Sequence, residues 1–142
     1  MQSESIANLA KALSIVQGKL TYAKKDSANP FFKSKYADLE SVWDACRDLL
    51  SANGLAIMQF PGDYVDGIMR LATMITHSSG EWIISEMSMP VAKPDAHSCM
   101  AALTYMRRGA LAAVVGVVQA DDDGNAASNP QSKPAVVKPK EI

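Results

Sequence analysis

Residues 55–89 read LAIMQFPGDYVDGIMRLATMITHSSGEWIISEMSM, and the fold turns on how this stretch pairs with itself. Residues 55–60 are a strand-length run that Pro61-Gly62 ends. Residues 68–77 alternate after a turn containing Asp66-Gly67. His77-Ser78-Ser79-Gly80 is a hairpin turn, and residues 81–89 return with Trp82, Ile84 and the methionines. Links this short join antiparallel neighbours, so the three runs form a three-stranded meander.

Downstream, residues 90–94 lead into a long helix over 96–118. Pro94-Asp95 supplies its start signal, and Asp95 can cap the first free amides. Alanine, leucine and methionine dominate this proline-free segment. Between Asp95 and Asp121 the only charges are Arg107 and Arg108, with Tyr105 just before them. Adjacent helix positions are about 100° apart, so both arginines share one broad side. They are either solvated or paired with neighbouring carboxylates, or they form a cationic edge. Ala101, Ala102, Ala110, Ala112 and Ala113 allow this helix to lie close on a sheet.

Upstream, residues 37–53 predict a helix capped by Asp38 and stopped by Asn53-Gly54. Leu39, Val42, Trp43, Cys46, Leu49 and Leu50 form its apolar stripe, so Cys46 is a buried thiol rather than a reactive one. Residues 3–25 predict a first amphipathic helix, with Ser3 or Ser5 as cap and Ile6, Leu9, Ala10, Leu13, Val16, Gln17 and Leu20 at helical spacing. Gly18 weakens its second half. The fold class is therefore α+β: two N-terminal helices, the meander, and a long helix packed on it.

The connection between the first two helices lacks periodicity, and Asn29-Pro30 breaks regular structure. From residue 19 to 36 there are five lysines and one aspartate, with Phe31, Phe32 and Tyr36 interleaved. Cations that track phosphates beside rings that stack on bases are what single-strand binding requires. The plainer alternative is that the phenylalanines anchor the loop and the lysines are solvated.

The chain has 142 residues, of which 48% are hydrophobic, enough for one domain with a real core. We read 1–120 as that domain and 121–142, rich in Ala, Ser, Asn, Pro and Lys, as a disordered tail. Net charge is −1, so a nucleic-acid surface must come from local clustering. Cys46 and Cys99 have no metal-type spacing. No secretory leader or membrane-length apolar run is evident, which gives a soluble cytosolic protein as the expectation. Asp121-Asp122-Asp123 can attract a divalent cation, but a solvated helix end or an acidic contact is the better reading, and no cofactor is expected. A phosphate loop, a dinucleotide fingerprint and a nuclease-like carboxylate set are all missing, and His97-Ser98-Cys99 is weak as a catalytic group. A binding protein fits better than an enzyme. A sheet with open edges also invites self-association.

Five motifs then occur in a familiar order. They are Asn29-Pro30-Phe31-Phe32-Lys33-Ser34-Lys35-Tyr36-Ala37-Asp38-Leu39; Gly54-Leu55-Ala56-Ile57 with Gln59; Thr76-His77 with Ser79-Gly80-Glu81-Trp82; Leu103-Thr104-Tyr105-Met106-Arg107-Arg108; and Asp121-Asp122-Asp123-Gly124. In this the chain resembles the ERF family of phage single-strand annealing proteins. One departure is Gly109, where the family usually carries an aromatic residue.

The resemblance implies a β-β-β-α core assembled into rings or filaments, which binds single-stranded DNA and anneals it without ATP in a bacterial cell. A phage exonuclease or a host single-strand binding protein is an implied partner. Lys24, Lys25, Lys33, Lys35, Arg107 and Arg108 are the expected phosphate contacts, with Tyr36 or Tyr105 packing on sugars or bases. The rival expectation is an oligomeric scaffold that binds DNA weakly. A double-strand binder is a third.

Overall fold

The computed structural model describes residues 1–23, 27–28, 35–36 and 38–118, with residues 27–28 and 35–36 described by backbone alone. The order is α1 (Ala7–Lys19), β1 (Ser27–Ala28), β2 (Lys35–Tyr36), α2 (Leu39–Ala52), β3 (Leu55–Pro61), β4 (Ile68–His77), β5 (Trp82–Pro90) and α3 (Ala96–Val115). The expected α+β meander is present as an antiparallel sheet in the order β3-β4-β5. Leu55 lies opposite His77 and Pro61 opposite Leu71, while Met69 faces Met89 and Ile75 faces Ile83.

The β3–β4 link tightens at Val65 and Ile68, which exchange hydrogen bonds of 3.1 and 2.9 Å. Asp66 and Gly67 between them have φ of 52° and 75°. Two left-handed residues in a row are what a type I′ hairpin turn needs, and its twist matches that of the strands.

Alternation along the strands puts Leu55, Ile57, Gln59, Met69, Leu71, Thr73, Ile75, Ile83, Met87 and Met89 on one face. Core packing of all three helices is on this face. The larger cluster joins Leu9, Ala12 and Val16 of α1, Val42, Cys46 and Leu50 of α2, Leu55 and Ile75 of the sheet, and Leu111 and Val115 of α3. The smaller one is built on Met69, Leu71 and Met106, with Met87, Met89 and Leu103 against it. Gln59 and Thr73 share a register row between the two. On the opposite face Met58 and Phe60 are exposed.

Asp38 caps α2 as expected, accepting from Ser41 N at 2.8 Å. Cys46 is fully buried, and burial pushes its thiol up to about 11 despite the nearby Arg47 charge. Asp95 caps α3, accepting from Ser98 N at 2.7 Å and from Ser98 Oγ at 3.0 Å. Those bonds hold its carboxyl below the usual range. α3 stops at Val115 rather than at residue 118. Gly116 takes φ of 90°, a left-handed conformation that favours glycine, and a Cβ there would also displace the end of Gln17, whose Nε2 lies 2.9 Å away.

The first helix is shorter than its periodicity implies. Met1–Ser3 run along β5 instead. Gln2 bridges Ile83, Ser3 N donates to Trp82 O at 2.9 Å, and Ile84 N donates to Met1 O at 2.9 Å. This part of the β5 edge is therefore covered, contrary to the expectation of open edges.

Nor does a serine alone cap α1, although Ser5 Oγ accepts from Ala7 N at 3.3 Å. The carboxylate of Glu81 reaches over from the β4–β5 turn. It accepts from Asn8 N, Leu9 N, Ser5 Oγ and Ser79 Oγ at 2.8–3.3 Å. Burial pushes this carboxyl up, but bonds from Ser79, the Asn8 and Leu9 amides and Ser5 outweigh it and leave it below its ordinary value.

α1 ends at Lys19 because Leu20 turns to extended backbone. Ala23 then donates to Val118 O at 3.1 Å. Its buried face is Leu9, Ala12 and Val16, whereas Ala10 and Gln17 are exposed. The lysine-rich connection, read as irregular, contains the β1–β2 pair, with Ser27 opposite Tyr36 and Ala28 opposite Lys35. The 121–142 tail and the boundary at 120 lie outside the described residues.

Candidate nucleic-acid interface

α3 crosses the inner face of the sheet so that Leu103 and Met106 face the smaller cluster while Leu111 and Val115 enter the larger one. The residues between these anchors are Arg107 to Ala110. The helix therefore delivers its two charges to the seam between the clusters. Both arginines are half-buried, and Tyr105 is 36% exposed.

Arg107 and Arg108 have different surroundings, although they are adjacent in sequence. Arg107 borders a cleft of about 260 Å³ lined also by Trp43, Ile57, Gln59, Pro61 and Leu103. Its Nε donates to Gln59 Oε1 at 3.4 Å. Gln59 Nε2 in turn donates to Arg107 O at 3.1 Å and to Thr73 Oγ1 at 3.2 Å. Thr73 is only 2% exposed, so this hydroxyl is a fixed reference point. Among the described residues, the terminal nitrogens of Arg107 make no hydrogen bond or ion pair.

Arg108 sits with its guanidinium carbon 4.9 Å from the centre of the Tyr105 ring, within cation–π range. It borders a second cleft, of about 360 Å³, lined also by Val42, Gly109, Ala112, Ala113, Gly116, Val117 and Val118. Val42 in one cleft and Trp43 in the other are consecutive residues in the first turn of α2. α2 therefore borders both clefts.

That position bears on the lysine-rich connection. The connection leaves the core at Ala23, tied to Val118 beside the Arg108 cleft, and returns at Asp38, the cap of α2. Both roots thus lie near the Arg108 cleft, Ala23 through Val118 and Asp38 through Val42, whose N donates to Asp38 O at 3.1 Å. Lys24, Lys25 and Lys33 lie outside the described residues, and Lys35 and Tyr36 are described only as the strand β2. Of the eight residues expected at the site, the side chains of Tyr105, Arg107 and Arg108 are therefore brought together here.

Sequence reasoning missed Gln59 and Thr73 as parts of this site. Gln59 stood out only as a polar residue in a motif, and Thr73 only as one position in an alternating strand. The one available signal was a polar pair on the face of the sheet that must be buried, since such groups need partners.

Among the described residues no group of three or more His, Cys, Asp or Glu is placed to hold a metal ion, and no helix is long and apolar enough to cross a membrane. Asp121-Asp122-Asp123 lie outside the described residues.

The family model described as the ERF superfamily matches residues 9–141, nearly the whole chain. No curated protein and no solved structure matches it.

Proposed function

We propose, from the premise that the chain belongs to the ERF superfamily, a family of recombination and annealing proteins, that it binds single-stranded DNA and anneals it to a complement without ATP. It does so as a homo-oligomer in the bacterial cytoplasm, serving phage-type recombination. The observation that carries this reading is the arginine pair bordering clefts lined by α2, with both roots of the connection that bears Lys24, Lys25, Lys33 and Lys35 in its sequence next to the Arg108 cleft. Local clustering of cations gives a polyanion a binding surface despite a net charge of −1.

The physical logic needs no fuel. Lys24, Lys25, Lys33, Lys35, Arg107 and Arg108 neutralise phosphates, and Tyr36 or Tyr105 packs on sugars or bases. Holding the strand by its backbone leaves base edges free to test a second strand. A matched pair then gains about 1.4 kcal/mol of stacking per step, which drives annealing forward. Self-association is supported by Met58 and Phe60 on the outer face, which are 40% and 47% exposed beside the charged Arg70 and Glu86. A phage exonuclease or host single-strand binding protein is a partner suited to this role, since each produces or covers the same substrate.

The test is the Arg107→Ala, Arg108→Ala double variant, titrated with a labelled single-stranded oligonucleotide over a range of salt. Affinity falls, and the salt slope falls by about 0.7 for each phosphate that is no longer neutralised. If the folded variant binds as tightly as the parent with the same slope, the arginines do not touch phosphates. The same outer face also suits a scaffold that only assembles. A fluorescence annealing assay without ATP separates the two, because a scaffold leaves the annealing rate at its protein-free value.

A further inference from the structure

Gln59 is joined to Arg107 by two hydrogen bonds, and a third, to Thr73, fixes the amide itself. Only an amide fits this place. Its nitrogen faces a carbonyl and a hydroxyl, and its oxygen faces a guanidinium N–H. A carboxylate would put an oxygen against Arg107 O. An apolar side chain would leave a helix-facing Thr73 hydroxyl and the Arg107 Nε unserved.

We infer that Gln59 is a positioning residue: it occupies the Nε of Arg107, clamps that turn of α3 to the sheet, and so presents the two terminal nitrogens as a preformed fork for one phosphodiester. This rests on the proposed single-strand binding and adds to it the residue that aims the contact. An arginine has four side-chain torsions to freeze, and a guanidinium already held along one edge loses less freedom when the phosphate arrives. Thr73 matters at one further remove, because its hydroxyl holds the amide in the orientation that serves Arg107. Arg108, on the Tyr105 ring, lies outside this relay.

The experiment is a double-mutant cycle on the full chain, read as affinity for a labelled oligothymidine across a salt series. Gln59→Leu weakens binding about tenfold when Arg107 is present, within the range of coupling seen for residues that touch. In an Arg107→Ala background the same change has no further effect. Gln59→Glu places a negative charge on the guanidinium, so it also lowers the salt slope by about 0.7, again only when Arg107 is present. Thr73→Val gives a smaller loss with the same dependence on Arg107, and it serves if Gln59→Leu folds poorly.

An equal loss in both backgrounds, or no loss in either, overturns the positioning role while leaving Arg107 as a phosphate ligand. If Arg107→Ala alone changes neither affinity nor slope, the phosphate contact itself is wrong and the positioning role falls with it. A merely structural part for Gln59 would lower the melting temperature in every background without moving the salt slope.

Discussion

The two apolar clusters beneath the sheet differ in composition and in what they hold. The larger is aliphatic and draws on α1, α2, α3 and two strands, so it ties distant parts of the chain together. The smaller is rich in methionine, built on Met69 and Met106 with Met87 and Met89 around them. It joins one end of the sheet to one stretch of α3. Branched side chains with few rotamers specify a single packing, whereas unbranched methionines fill gaps and adapt. The arginine pair lies where the two meet, with its rigid support on one side and adaptable packing on the other. If the proposed DNA contact is made here, the site is anchored by the aliphatic cluster and can yield toward the methionine one.

Substitutions at matched depth put this contrast to the test. Leu111 and Met106 are both completely buried on α3, one in each cluster. Leu111→Ala costs about 2–5 kcal/mol in a denaturant titration, because the aliphatic cluster collapses poorly around a void. Met106→Ala, a comparable truncation, costs nearer the lower end of that range of about 2–5 kcal/mol, since flexible methionines move into the space. Equal losses would mean the clusters are equally rigid.

Next in size is Gly109→Ala. This glycine sits inside α3, and a Cβ there meets nothing within 4 Å. The variant gains about 1 kcal/mol from helix propensity alone. A loss instead would mean that the Arg108 cleft closes further than its geometry indicates.

The gentlest probe removes no atoms. Cys46 belongs to the aliphatic cluster and Cys99 packs against the methionine one. With its thiol at about 11, Cys46 is roughly one part in a thousand thiolate at pH 8 and is sealed from reagent as well. Mass spectrometry after a thiol-labelling pulse finds Cys99 modified in the native protein and Cys46 only in denaturant. Comparable rates at both would mean the aliphatic cluster opens as readily as the other.

Much of this was legible beforehand, for local reasons. β4 is bounded by Asp66-Gly67 and by His77-Ser78-Ser79-Gly80, and α2 has an Asp cap, a helical stripe and an Asn-Gly stop, so each states its own limits. The first helix did not. Nothing in residues 20–25 forbids helix, and the chain leaves it because Ala23 finds a partner at Val118, about a hundred positions away. Glu81 as the support of the α1 N-terminus was hidden for the same reason.

At the site, Arg107 and Arg108 stood out because a long uncharged segment isolates them. Their separation into two clefts did not, since it depends on where α2 lies. Gln59 was the hardest to read, because its role exists only once β3, β4 and α3 have come together.

The amino group of Met1 donates to Ile84 O at 3.2 Å, so the very first residue is held against the flank of β5. Residues joined ahead of Met1 would run alongside the outermost strand. For a protein whose subunits are proposed to associate, such a fusion intrudes on the surface under study.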